Sequence, residues 1–319
     1  MKKIILAGLL ILAMVFSIAA CSSSDDKQAE TVEESKTIRI AYLTQQLSNE
    51  FMQSLNAAVH RAGKEAGFEV TTFSADLDPV KQMGQIETAV NQGFDAIIID
   101  PCASDALIPG IRYAQEAGVP IVTMHEDVSD GSADASAVSD LRQAGVFKMQ
   151  RVADDLGGKG RIAIINGQQG QLATAHIRGG YQDVLDKYPD IEVIFEDSGD
   201  WSTEPAIRIM ETWVATGEHL DAVIGMNDAA ALGIIYVLEA AGINDVLIYG
   251  LDAQTEVLRM IKEGRIAATI LIDLNAEADA AVDLVRKLLN GQTVQKVNII
   301  DVVVISPENI DYWIGVIGA

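Results

Sequence analysis

Three stretches of this chain hold residue types that could do chemistry. Cys102 follows Pro101 at the end of an apolar run. A lone cysteine of this kind reads as a small apolar residue rather than a nucleophile. His125-Glu126-Asp127 supplies three metal-type donors in a row. Neighbours on an extended segment point to opposite faces, however, and no second cluster has ligand spacing. Gly157-Gly158-Lys159-Gly160 precedes a strand-like run. A phosphate loop follows a strand and opens a helix, so this segment reads as a turn. Asp78, Asp183 and Glu196 read as solvated charges. No metal, cofactor or catalytic constellation is expected. What remains is binding chemistry. Aromatic residues make up only 5 % of the chain, so each one near a strand end matters, and Trp201 in Ser198-Gly-Asp-Trp-Ser-Thr lies in such a loop.

The elements that must position these residues follow a repeating pattern. Apolar runs at Ile38–Leu43, Val70–Phe73, Ala96–Ile99, Ile121–Met124, Ile162–Ile165, Val193–Phe195, Ala222–Ile224, Val246–Tyr249 and Ala267–Ile272 read as strands buried on both faces. Between them, stretches such as Phe51–Glu65, Pro79–Asn91, Asp105–Ala117, Gln143–Asp155 and Ala229–Ala240 carry apolar residues at helical spacing. Ala117-Gly118-Val119-Pro120 and Ala241-Gly242-Ile243 place a glycine where a helix ends and a strand begins. The predicted fold class is α/β, with two similar doubly wound parallel sheets. Ligands of such sheets collect outside the carboxyl ends of the strands.

The N-terminus predicts the compartment. Lys2 and Lys3 precede an apolar run from Ile4 to Phe16 and then Ser17-Ile18-Ala19-Ala20-Cys21. Small residues ahead of a cysteine resemble the lipobox of bacterial lipoproteins, and the run is short for a span, which needs roughly 20 apolar residues. Residues 1–20 are therefore expected to be a signal peptide, Cys21 the lipidated first residue, and residues 21–37 a solvated tether. Lipidation would leave Cys102 without an intrachain partner. The full chain carries a net charge of −23, and the leader holds two lysines and no acids, so the mature protein is more acidic still. Such a chain does not hold a phosphate backbone, which excludes nucleic acid. The length beyond the leader suits two domains, and 49 % hydrophobic content is enough to give each a core.

The phrases along the chain resemble type I periplasmic substrate-binding proteins, in particular the ribose-binding branch that serves ABC sugar importers. They are Asn49-Glu50-Phe51-Met52, Asp95-Ala-Ile-Ile-Ile-Asp100-Pro101, Val119-Pro120-Ile121-Val122-Thr123, Gly225-Met226-Asn227-Asp228, Tyr249-Gly250-Leu251-Asp252 and Ala267-Ala268-Thr269-Ile270. The resemblance spans about residues 38 to 305. It implies two lobes joined by three crossover strands around a ligand cleft. Lobe one would be 38–139 plus 273–301 and lobe two 140–272 plus 302–319, with crossings near Ser139-Asp140, Ile272-Asp273 and Asp301-Val302.

The resemblance also implies the site. Ligand contacts would fall on Asn49, Phe51 and Met52, on His125 and Glu126, and on Trp201, Asn227 and Asp252. A wider set holds Gln45, His176, Arg178, Asp228 and Asp273, although Asp228 also suits the first turn of a helix. Carboxylates and amides bind hydroxyls, and an apolar sugar face would lie between Phe51 and Trp201. The ribose type carries an Asp-Arg pair where this chain has His125-Glu126, an arginine where it has Ala175-His176, and a glutamine at Ile272. The loss of both arginines makes an acidic pocket. That favours another pentose, a linear polyol or a cyclitol over ribose, with an amine-bearing sugar as a further candidate.

The expected role is an extracytoplasmic solute-binding protein of an ABC importer, a monomer tethered to the membrane and recognised by permease subunits when closed. The alternative is a sugar-sensing receptor acting on a chemoreceptor or histidine kinase. A sugar-responsive repressor would need an N-terminal DNA-binding motif, where this chain has an export signal.

Overall fold

The structure is a computed structural model that describes residues 37–48 and 50–317. Asn49 and Cys21 lie outside the described residues.

Six parallel strands form the first sheet. They are β1 (Arg39–Thr44), β2 (Glu69–Ser74), β3 (Ala96–Ile99), β4 (Ile121–Met124), β5 (Ala135–Ser139) and β11 (Val297–Ile300). Their order is β11-β5-β4-β3-β1-β2. Alternation along β1 divides the core. Ile40 and Tyr42 face helices α1 (Glu50–Glu65) and α9 (Leu274–Leu289), packing near Leu55, Val59 and Val285. Ala41 and Leu43 face α2 (Pro79–Asn91) and α3 (Ile108–Glu116), with Ile86 and Ile111. This period of two explains why the strands are apolar throughout. Asp78 is more than a solvated charge, because its carboxylate caps α2 by accepting from the Val80 and Lys81 amides.

The second sheet is β7-β6-β8-β9, also parallel. It comprises β6 (Lys159–Asn166), β7 (Asp190–Ser198), β8 (Ala222–Gly225) and β9 (Leu247–Tyr249). A bridge from Tyr249 to Ala268 leads to β10 (Thr269–Leu271), which pairs antiparallel with β12 (Val303–Ile305). Helices α4 (Leu141–Asp155) and α5 (Leu172–Leu185) cover the face bearing Ile162 and Ile164. Helices α6 (Thr203–Ala215), α7 (Asp228–Ala240), α8 (Thr255–Lys262) and α10 (Ile310–Ile317) cover the face bearing Ala163 and Val223. The chain therefore leaves the first sheet after β5, returns to it with α9 and β11, and departs again for β12. Gly118 and Gly242 take φ of 77° and 71°, the left-handed geometry that closes a helix and frees the chain for a strand.

Helices α4 and α5 touch backbone to backbone. A Cβ added at Gly145 would lie 2.2 Å from the Ile177 carbonyl oxygen, and one at Gly180 2.2 Å from that of Arg142. Gly145→Ala gains about 1 kcal/mol of helix propensity but forces rigid backbone apart at a cost of about 1–3 kcal/mol. Crowding should win, so the variant should unfold at lower urea concentration with its m-value unchanged.

Candidate functional site

In the first lobe, the residues that follow the strands converge. Asp100 comes directly after β3 and is fully buried. Its Oδ1 accepts from Gln45 Nε2 at 2.9 Å, whereas Oδ2 is buried with no hydrogen-bond partner. Burial pushes this carboxyl up to about 7, against the opposing pull of His125 and the Gln45 hydrogen bond. The Tyr42 hydroxyl is also buried, and burial together with Asp100 raises its pKa against the opposing pull of Thr44. His125 follows β4 with φ of 67°, an uncommon conformation for a residue with a side chain. Its ring stands 5.1 Å from that of Phe51, tilted by 51°, and its Nδ1 lies 3.3 Å from Glu277 Oε2. Burial alone would lower the imidazole pKa, but Glu277, then Asp100 and Glu126, outweigh it and raise it to about 10. Glu126 is raised by burial against the opposing charges of His125 and His176.

The second lobe supplies its own set. Trp201 lies between β7 and α6 with φ of 59°. Its Nε1–H donates to Gln171 Oε1 at 2.6 Å, and the indole lies so close on Gly167 that a Cβ there would be 2.2 Å from Cε2. Asn227 Nδ2 donates to the Trp201 carbonyl at 3.1 Å, while Oδ1 accepts from Ala230 N at 3.0 Å and caps α7. Asp252 follows β9 with φ of 120° and is half-buried. Burial and the neighbouring Asp228 hold its carboxyl well above the usual range, with Lys148 and His125 opposing. Asp228 is fully buried and tied on both oxygens, accepting from Thr269 Oγ1 and from Gln254 N at 2.7 Å each. Lys148, buried in α4, donates to the Gly225 and Met226 carbonyls at 3.0 and 2.9 Å, just ahead of Asn227. Burial lowers its ammonium to about 7.

The two half-sites act on each other. His176 of the second lobe acts on Glu126 of the first, and His125 of the first acts on Asp252 of the second. A sequence profile described as a periplasmic binding protein domain matches residues 40–293. The chain belongs to this periplasmic binding protein family. It is 30 % identical to a xylitol-binding protein of Mycolicibacterium smegmatis, over 94 % of this chain and 84 % of that one. It is 27 % identical to the ribose import binding protein of Bacillus subtilis, over 93 % and 96 % of the two chains. Among solved structures it resembles an ABC transporter solute binding protein from Bacillus halodurans with bound myo-inositol, at a TM-score of 0.81 and 27 % identity over 88 % and 98 %. Members of this family bind substrates and are not enzymes.

In this binding protein the residues singled out from sequence divide into three groups. Phe51, His125, Glu126, His176 and Asp252 gather as described, with Gln45 attached through Asp100, and Trp201 and Asn227 are joined to each other. No ring pair links Phe51 to Trp201 among the described residues. Met52, on the inner face of α1, is buried in the core of the first sheet. Arg178 forks onto Glu196, with Nε–Oε1 at 2.6 Å and Nη2–Oε2 at 3.1 Å, so Glu196 is a paired charge rather than a solvated one. Asp273 caps α9 by accepting from Ala276 N. Cys102 is half-buried, and burial raises its thiol to about 11, which keeps it protonated and unreactive. Asp100, Gln171, Lys148 and Glu277 were not singled out from sequence. Asp100 alone carried a usable signal, because it comes directly after β3, where ligands of parallel sheets collect.

Proposed function

We propose that this chain is the extracytoplasmic solute-binding protein of an ABC importer and binds a neutral pentose, linear polyol or cyclitol between its lobes. The observation that carries this reading is a set of buried and half-buried acids at the strand ends of both sheets: Asp100 keeps one oxygen without a partner, Glu126 feels the charge of His176 from the other lobe, and Asp252 feels that of His125. Burial disfavours the charged forms of these carboxyls, and hydroxyl groups that donate to them would relieve that cost. The half-buried rings of Phe51 and Trp201 offer apolar faces to the carbon skeleton. Relatives named for xylitol and ribose, and one solved with myo-inositol, support a polyhydroxylated ligand.

Lobe one is 38–139 plus 273–301 and lobe two 140–272 plus 302–319, an assignment supported by β11 pairing with β5 and β12 with β10. Ligand contacts with both lobes favour the closed arrangement, which the permease recognises. Asn49, two positions ahead of Phe51 in the sequence, is carried over from the family resemblance as a ligand contact, and Met52 and Asp273 support the site from behind. The protein acts as a monomer without catalysis, held at the membrane by lipid on Cys21.

Thermal-shift titration against pentoses, hexoses, polyols, cyclitols and sugar acids tests this reading. A neutral ligand at about 100 times its Kd should stabilise the fold by about 2.7 kcal/mol. Sugar acids and sugar phosphates should give no shift, because Arg178 is committed to Glu196 and the pocket is acidic. Stabilisation by anionic ligands alone would overturn the reading.

A further inference from the structure

Glu277 lies in the first turn of α9 and is fully buried. An unpaired buried carboxylate costs several kcal/mol, about the total stability of many domains, so its partners are informative. Oε1 accepts from the Ser139 amide at 3.0 Å and from Ser139 Oγ at 2.6 Å. Oε2 faces His125 Nδ1 at 3.3 Å. Ser139 is the last residue of β5, and the next residue, Asp140, caps α4 in the other lobe by accepting from Gln143 N. Glu277 itself donates its amide to the carbonyl of Asp273, where the chain has just returned to the first lobe. One side chain therefore touches a pocket ring and the end of one inter-lobe connection, and it sits one turn from another.

We propose that Glu277 is the positioning residue of this site: it fixes the His125 ring with Nδ1 inward and Nε2 toward the ligand, and ties that ring to the inter-lobe connection at Ser139. The contact of His125 with the ligand rests on the proposed function, whereas the link from His125 through Glu277 to Ser139 does not. An imidazole that donates Nδ1–H to a carboxylate is locked in orientation and favours the doubly protonated form. Nε2 has no partner among the described residues and then presents a charged donor where arginines are missing. The other groups acting on the ring are Asp100 after β3, Glu126 beside it and Asp252 from the second lobe. Phe51 of α1 is uncharged. Glu277 is the one among them bonded to the ring.

The test follows the histidine ring nitrogens of the full, ligand-free protein by nitrogen-15 NMR across pH 5 to 10, with His125→Gln identifying the His125 signals. In the wild-type protein both His125 nitrogens should stay protonated past pH 8, whereas in Glu277→Gln the ring should deprotonate at least one pH unit earlier. Calorimetry with xylitol, D-ribose and myo-inositol at pH 8 should show at least a tenfold loss of affinity in Glu277→Gln, with a smaller loss at pH 6. A merely structural glutamate would not produce that pH dependence. If Glu277→Gln fails to fold, Glu277→Asp keeps the charge but draws it back from Nδ1 and should still move the His125 titration downward. Wild-type titration near the ordinary 6.5, or identical titration in wild type and variant, overturns the proposal. The ring titration needs no ligand, so its outcome is separate from a failure of the three probes to bind.

Discussion

Replacing Trp201 by alanine should lower affinity for the sugar or polyol by about 100-fold while leaving the fold intact. Truncating a central aromatic anchor typically costs 2 kcal/mol or more, and about 2.7 kcal/mol corresponds to that factor. The fold should survive for three local reasons. The Trp201 carbonyl that accepts from Asn227 belongs to the backbone and remains. The φ of 59° is already tolerated by a residue with a side chain, and alanine adds no strain. Gln171, freed of the indole, is half-exposed and can turn to water. Gly167→Ala is the informative companion, because a Cβ 2.2 Å from Cε2 must push the indole aside while every Trp201 atom is retained. It should also weaken binding, by displacing the ring rather than removing it. Calorimetry with xylitol and myo-inositol reads both variants, and unchanged affinity in Trp201→Ala would remove the indole from the site.

The fold was legible where burial imposed a pattern. Each of the nine apolar runs overlaps a strand, and the central strands are apolar throughout because helices cover both of their faces. Strand β5 was not legible, since Ala135-Ser-Ala-Val-Ser is small and polar enough to pass for a loop, and only its place between β4 and β11 makes it a strand. β11 is a sheet edge with Val297 and Ile299 exposed, so its apolar residues mark no buried face. The site divides along the same line. His125 directly follows β4, and Asn227, Trp201 and Asp252 lie two or three residues beyond a strand; the family resemblance marked all four, whereas Asp100, directly after β3, was missed. Lys148 and Glu277 were invisible because a charge on an amphipathic helix is ordinarily solvated. Nothing local shows that Lys148 reaches the carbonyls of Gly225 and Met226, 77 and 78 residues away. The Arg178–Glu196 fork has the same character, and it removes the one arginine that the sequence left near the pocket.

Asp100→Asn should stabilise the ligand-free protein near pH 8, leave it unchanged near pH 4, and weaken ligand binding. In the unfolded chain this carboxyl titrates near 3.8, whereas in the folded protein burial holds its proton up to about 7. Below pH 4 both states are protonated and the native contribution is complete. As pH rises, the unfolded chain releases its proton first, so stability drains away until the folded carboxyl also ionises near 7. By linkage that loss amounts to about 4 kcal/mol at most. Asparagine has nothing to ionise, keeps an oxygen for Gln45 Nε2, and escapes most of that loss, so a gain of about 2–4 kcal/mol is expected near pH 8. The same change converts the orphaned Oδ2 from a charged acceptor into a donor. A ligand hydroxyl that donates to Oδ2 then loses a charge-assisted hydrogen bond, worth about tenfold in affinity. Urea midpoints at the two pH values separate this from a generic packing effect, because a gain of equal size at both would show that titration is not its source. A protein that stores instability in an unpaired acid until a polyol arrives gains both affinity and a drive to close from the same carboxyl.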